Sequence, residues 1–69
     1  MTDIEQTARN FTAVGLRWMI KTDEDQLTLL DSLDAEYGDV GREARQKGRE
    51  FHQERLERIR AALALKGEA

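Results

Sequence analysis

The segment VGREARQKGREFHQERLERIRAALALK, residues 40–66, decides the fold because it is one long amphipathic pattern in a chain without proline. Four acids on it share a narrow helical stripe: Glu43, Glu50, Glu54 and Glu57. Its apolar residues fall on another arc at 100° per residue: Val40, Ala44, Gly48, Phe51, Leu56, Ile59, Ala62 and Leu63. His52 and Arg55 lie within that arc. The pattern predicts a helix about 40 Å long.

Basic residues follow the two edges of this apolar arc: Arg42, Arg45, Lys47, Arg49, Arg58 and Arg60. Flanking charges of this kind are typical of a helix that packs beside acidic neighbours. The rest of the chain can supply them, because residues 1–39 have three basic and nine acidic side chains, 3 − 9 = −6. Residues 40–60 have seven basic and four acidic side chains, 7 − 4 = +3. The two parts are predicted to complement each other, within one chain or between two.

A first helix is predicted over about residues 3–20, with Thr2 or Asp3 as its N-cap. Ile4, Phe11 and Trp18 are seven residues apart and form a heptad-like seam. Leu16 and Ile20 lie on the back of this helix, away from the seam. A helix end that is apolar on both faces is usually covered by other elements on both faces. We therefore expect the back to bind a partner.

A second helix is predicted over about residues 23–37. Thr22 is its expected cap, and the acids that follow suit the positive end of a helix. Its apolar face contains Leu27, Leu29, Leu30, Leu33 and Tyr37. Gly38 is the expected stop, and Asp39 is the expected cap of the third helix.

The length of 69 residues predicts one domain, which at this size is only marginally stable on its own. The chain has no cysteine, so neither disulfides nor thiolate zinc can supplement the core. Oligomerisation is the remaining route. We therefore expect an all-α fold, a small three-helix bundle with a long C-terminal helix, completed by homodimerisation. Its seam is predicted to contain Ile4, Phe11, Trp18, Leu30, Leu33, Phe51, Leu56, Ile59 and Leu63.

The sequence offers little basis for enzyme chemistry. His52 is the only residue that ordinarily titrates near neutral pH, and Ser32 is the only serine. No glycine-rich phosphate loop is present, and the acidic pairs lack the Glu-x-x-His spacing of a carboxylate metal site. We therefore predict a protein that is not an enzyme and that has no cofactor and no metal.

Nucleic-acid binding is the alternative interpretation, since Arg42, Arg45 and Arg49 form a continuous basic edge. A helix-turn-helix frame with its turn at Gly38 fits poorly, because Asp39 then occupies an apolar position. The acids on the neighbouring stripe would also repel phosphate. A small dimeric DNA- or RNA-binding regulator using this edge stays as the second hypothesis.

Two parts of the chain share scattered residues with a known family: Met1, Thr2, Glu5, Thr7, Ala8 and Asn10, and the later segment QLTLL, residues 26–30. In these positions the chain resembles Rop, a family of small plasmid RNA-binding proteins that dimerise as helical hairpins. The second half of the chain does not match. In Rop-like proteins polar and aromatic residues of the first helix bind RNA, and Asn10 matches one such position. The resemblance implies an RNA-binding dimer.

The function that we favour from sequence is a helical protein-interaction module: an adaptor, regulator or inhibitor. The predicted contact residues are apolar side chains of the first helix and arginines of the third, which are common energetic anchors: Leu16, Trp18, Ile20, Arg42, Arg45 and Arg49. The expected partner is another protein or a second copy of the chain. Binding to a membrane is not expected. No signal peptide or membrane span is evident. We predict a cytoplasmic protein, or one made inside a cell by a phage or plasmid.

Overall fold

A computed structural model describes residues 2–67. That part of the chain forms three helices and contains no strand: α1 (Asp3–Asn10), α2 (Ala13–Tyr37) and α3 (Arg42–Leu65). The helices α2 and α3 pack against each other as an antiparallel hairpin, and α1 packs on α3. The predicted all-α class with three helices is confirmed.

The short helix α1 begins at the predicted cap. The Thr2 hydroxyl accepts a hydrogen bond from the backbone N–H of Glu5, and the Glu5 carboxylate accepts one from the backbone of Thr2. This capping box satisfies amides that the first helical turn leaves free. Phe11 then adopts an extended conformation, so α1 ends ten residues earlier than the predicted limit at Ile20.

The helix α2 is continuous through the position where a new helix was expected. Thr12 is its cap and accepts from the backbone N–H of Gly15. The Thr22 hydroxyl instead donates to the carbonyl of Trp18, as a threonine inside a helix commonly does. The prediction of a helix boundary at Thr22 is therefore wrong, and the boundary lies at Phe11–Thr12.

The turn between α2 and α3 depends on two glycines with positive φ. Gly38 ends α2 at φ 58°, as predicted, and Gly41 at φ 74° precedes α3. Asp39 is not the cap of α3, because no side chain caps that helix. The last helix is also not the longest, since α2 has 25 residues and α3 has 24.

The buried core lies at the end of the hairpin where α1 packs. Leu16 of α2 joins Ile59, Ala62 and Leu63 of α3 in one apolar cluster. Ile4 and Ala8 of α1 pack against this cluster, together with Ala13, Met19 and Ile20 of α2. Because α1 turns back at Phe11, its apolar residues cover α3 instead of extending α2.

The two ends of the hairpin differ in burial. We call α1 with residues 13–24 and 55–65 the terminal half, and residues 25–54 the loop half. All the buried residues among positions 2–67 are in the terminal half: Leu16, Asp23, Leu56, Ile59, Ala62 and Leu63. The predicted seam is thus confirmed at Leu56, Ile59 and Leu63. Its residues Phe11, Trp18 and Phe51 are exposed in the single chain, and their place in a dimer seam stays a prediction.

Candidate interaction surface and interhelical charges

The three predicted apolar contact residues of the N-terminal region have different environments. Leu16 is fully buried in the core of its own chain, so its assignment to an external surface is wrong. Leu16 faces α3 because the chain reverses direction between α1 and α2, just before Leu16. The sequence had predicted a single helix over residues 3–20, without this reversal. Ile20 is half-buried beside that core. Trp18 is 73% exposed and remains available for contact.

The predicted steering residue Arg45 binds its own chain. Its guanidinium donates to the backbone carbonyls of Gly38 and Val40 and to the carboxylate of Asp34. Only 11% of its side chain is exposed. Arg45 thereby satisfies carbonyls at the end of α2, where a positive charge is also favoured by the helix dipole. Its role is to fix the turn to α3.

Arg49 extends the same ionic contacts by one turn of α3. Its Nη2 lies 2.6 Å from Asp34 Oδ2 and 3.0 Å from Asp31 Oδ1. Hydrogen bonds from Arg45 and then Arg49 lower the pKa of Asp34 from its ordinary value. Hydrogen bonds to Asp34 and then Asp31 raise the pKa of Arg49. Both effects arise because the charged forms are the ones that are bonded.

The third basic residue of this edge, Arg42, is the most exposed. It pairs with Asp39 in the turn, and 68% of its side chain is accessible. Farther along the hairpin, Arg60 pairs with Glu24 at 3.0 Å. The acidic N-terminal part and the basic third helix therefore complement each other within a single chain, one of the two possibilities left open by the sequence.

A polar cluster around the buried carboxylate of Asp23 joins α2 to α3, and the sequence patterns did not identify it. Asp23 has a side chain 1% exposed, and its Oδ1 lies 2.9 Å from His52 Nδ1. Arg55 Nε lies 2.9 Å from Oδ2, as an ionic contact and not as a well-aimed hydrogen bond. The sequence did contain a sign of this cluster, because His52 and Arg55 interrupt the apolar arc of α3 and therefore face α2.

The aromatic side chains form the most unusual surface feature. The chain has two phenylalanines, one tryptophan and one tyrosine. All of them are exposed: Phe11 by 43%, Trp18 by 73%, Tyr37 by 51% and Phe51 by 57%. Phe51 has one ring contact, an edge-to-face arrangement with His52 at 5.2 Å between centroids. None of the aromatic rings contributes to the buried core.

Among residues 2–67, no group of three or more histidine and acidic side chains is arranged to hold a metal ion. No helix in the same range is both long and apolar enough to cross a membrane.

Comparisons with protein-family models, with curated proteins and with solved structures found no match to this chain.

Proposed function

We propose that this chain is a small non-enzymatic helical interaction module, an adaptor, regulator or inhibitor that binds protein through exposed aromatic and aliphatic side chains. Self-association into a homodimer is part of the proposal. The contact residues retained from the sequence are Trp18, Ile20 and Arg42. Leu16, Arg45 and Arg49 are left out, because each is engaged inside the chain. The proposed compartment is still the cytoplasm.

The observation that carries the proposal is the exposure of every aromatic side chain. Aromatic residues have the largest apolar surface to bury and ordinarily dominate cores and interfaces. In this chain the core is made of Leu16, Leu56, Ile59, Ala62 and Leu63. The aromatic rings are left in water at a free-energy cost that a protein partner would remove.

The charges support protein contact over nucleic-acid binding. Nucleic-acid binding requires unpaired basic side chains, because they neutralise the phosphates and so release the counterions condensed on the nucleic acid. Arg45 and Arg49 already have carboxylate partners, so a phosphate would have to displace Asp34. This competition lowers the affinity that the basic edge of α3 can supply.

The surroundings of His52 support a role without catalysis. An Asp–His pair orients an imidazole in many enzymes, but it then needs a nucleophile or a substrate cleft beside it. Ser32 is exposed on α2, and its hydroxyl donates to the carbonyl of Thr28. The Asp23–His52 contact is accounted for as a polar contact that joins α2 to α3.

The test uses the single tryptophan as a reporter. Trp18 emission and acrylamide quenching would be measured across protein concentrations, with in-line light scattering and absorbance at 260 and 280 nm. Association that covers Trp18 shifts its emission to the blue and reduces quenching. The variant Trp18→Asp is then expected to weaken association while helicity is retained. Val40→Asp, at a residue 73% exposed in the turn at the other end of the hairpin, is the matched control.

Two results would count against the proposal. Excess absorbance at 260 nm, lost at high salt and after charge reversal of Arg42, would favour the nucleic-acid alternative. Turnover that is abolished by His52→Ala would favour an enzyme.

A further inference from the structure

The helix α1 is held to the rest of the molecule by a small contact. It has no buried residue, unlike α2 and α3. It packs on α3, where Ile4 and Ala8 lie against the core cluster. Hollows open along this contact beside Ile4, Thr7 and Ala8. The core therefore offers α1 an apolar site that α1 fills incompletely.

A hinge of two residues joins α1 to α2. Phe11 is extended, with φ −129° and ψ 145°, and so is Thr12, with φ −74° and ψ 161°. The segment from Asn10 to Ala13 contains neither glycine nor proline, so these residues can also adopt helical angles. Short hinge loops favour the exchange of an element between two copies of a chain.

A helical hinge would merge α1 and α2 into one helix over residues 3–37. At 100° per residue, Phe11, Val14 and Trp18 then share one side of that helix. In the single chain they are exposed by 43%, 71% and 73%, and Phe11 lies outside both helices. Merging also bonds the last carbonyls of α1 to the first amides of α2. The merged helix thus gains hydrogen bonds and an apolar stripe, which we define as Phe11, Val14 and Trp18.

We propose that two copies of this chain exchange α1. In each copy the hinge becomes helical, and α1 leaves its own α3 for the same site on the α3 of the other copy. That site selects its occupant, because Ile4 and Ala8 already pack there within one chain, and the α1 of a second copy is identical. The inference rests on the proposed interaction function and names its partner.

The exchange brings the two apolar stripes together. Each chain crosses from its own hairpin to that of its partner at the hinge, so both hinges lie beside the two-fold axis. Trp18, the far end of the stripe, is only about 10 Å along the helix from the hinge. The stripes of the two copies can therefore cover each other. Their burial and the new helical hydrogen bonds at the hinge favour the dimer, whereas loss of the Thr12 cap of α2 opposes it.

The first experiment places proline where only the merged helix rejects it. Ala13 is the first residue of α2, a position that favours proline, and Thr12 already has the extended conformation of a residue before proline. Inside the merged helix the same proline loses a hydrogen bond and clashes with the preceding turn. Ala13→Pro should therefore weaken dimerisation by roughly 100-fold or more. Sedimentation of the full chain from low micromolar to millimolar concentration measures this change, and circular dichroism checks that the variant is folded.

Two further variants test whether the effect belongs to the hinge. Asp3→Pro is the matched control, because Asp3 is the first residue of α1 and follows the extended Thr2. It is first in the merged helix too, so dimerisation should be unchanged. Thr12→Ala removes the cap that α2 has only in the single chain, and should strengthen dimerisation by roughly 5-fold or more.

The second experiment detects the exchanged helix by crosslinking. Ala8 of α1 and Leu65 of α3 line one hollow, and the chain has no cysteine of its own. Chains with Ala8→Cys would be mixed with chains with Leu65→Cys and treated with a short bismaleimide. Exchange should join the two kinds of chain, and adding Ala13→Pro to both should prevent it. A chain with both cysteines and Ala13→Pro is the positive control, because it should crosslink within itself.

Three results would overturn the exchange. One is a dimer that Ala13→Pro leaves intact and that does not join Ala8→Cys to Leu65→Cys; the interaction function would then stand with another contact. Another is equal weakening by Asp3→Pro and Ala13→Pro. The third is a wild-type chain that stays monomeric at millimolar concentration, while a blue shift of Trp18 on adding a purified protein partner would still support the proposed function. Failure of that function is seen separately, as bound nucleic acid or as turnover that depends on His52.

Discussion

Ionic contacts join the helices in both halves of the hairpin, whereas buried apolar contacts join them only in the terminal half. In the terminal half, Leu16 is enclosed by Ile59, Ala62 and Leu63, and α1 closes the cluster. In the loop half no residue between 25 and 54 is buried, and the cross-helix contacts include Arg45 and Arg49 with Asp34. Apolar burial is stabilising without a precise geometry, whereas ionic contacts at a surface stabilise weakly and depend on salt and pH.

The difference shows how a short chain can use one hairpin for two purposes. The terminal half concentrates the few residues that a 69-residue protein can bury. The loop half aligns its helices through charge pairs, and its apolar residues are exposed or only half-buried. We therefore expect the terminal half to determine the stability of the monomer, and the exposed aromatic side chains along the whole hairpin to determine its associations.

The largest expected effect is loss of the core at Leu16. Leu16→Ala removes a fully buried side chain and should cost about 3–5 kcal/mol in the free energy of unfolding. The control Leu29→Ala, at a side chain 49% exposed in the loop half, should cost less than about 1 kcal/mol. Urea unfolding followed by circular dichroism measures both. Equal losses would remove the distinction between the halves.

The next effect concerns Arg45, the residue that closes the loop half. Arg45→Met keeps the length of the side chain but loses its bonds to Gly38, Val40 and Asp34. We expect a loss of about 2–3 kcal/mol, with faster amide exchange at the turn. Arg42→Met removes only an exposed pair and should cost about 0.5 kcal/mol or less. If the two variants are equally stable, Arg45 does not hold the turn.

Acid should weaken the loop half through Asp34. Hydrogen bonds from Arg45 and Arg49 lower the pKa of Asp34 in the folded chain. The stabilisation of the folded state by the Asp34 carboxylate is therefore complete at pH values above its ordinary pKa of 3.8. It is lost as the pH falls through the lower folded-state pKa. In Asp34→Asn this contribution is absent, so stability should fall less steeply below pH 3.8. Thermal unfolding across pH measures the difference, and parallel curves for both proteins would contradict it.

The smallest effect is a gain at Gly48. A Cβ at this position would lie 3.8 Å from Leu30 Cδ1, an ordinary contact distance. Gly48→Ala should therefore stabilise α3 by about 0.5–1 kcal/mol. The matched change Gly38→Ala should destabilise, because Gly38 has φ 58°. Thermal unfolding of both variants gives the signs, and a loss at Gly48 would indicate that something packs closer there than Leu30.

Much of the local structure was predictable because it depends on neighbours in sequence. The Thr2 cap and the Gly38 stop are formed by residues within a turn of the helix end. The charge imbalance between residues 1–39 and 40–60 predicted ionic complementarity without identifying the pairs. Leu56, Ile59 and Leu63 were expected in the core from periodicity alone, and they are buried.

The error in the first two helices had one physical cause, namely two threonines that can each cap a helix. Thr22 is followed by acids and looks like the stronger start, yet Thr12 is the cap that the chain uses. With the boundary at Thr12, Leu16 and Asp23 are seven residues apart on one continuous helix and both face α3. The predicted boundary separated them and left Leu16 on an outer surface.

The sequence by itself determined that the chain is helical, where α2 stops and that its acidic and basic parts attract each other, because these follow from local propensity and total charge. Only the tertiary structure decided which threonine caps α2 and which carboxylate is buried. Asp23 meets His52, which is 29 residues away in sequence, and Leu16 meets Ile59 and Ala62. Contacts of that range form only when two helices pack, and no local pattern contains them.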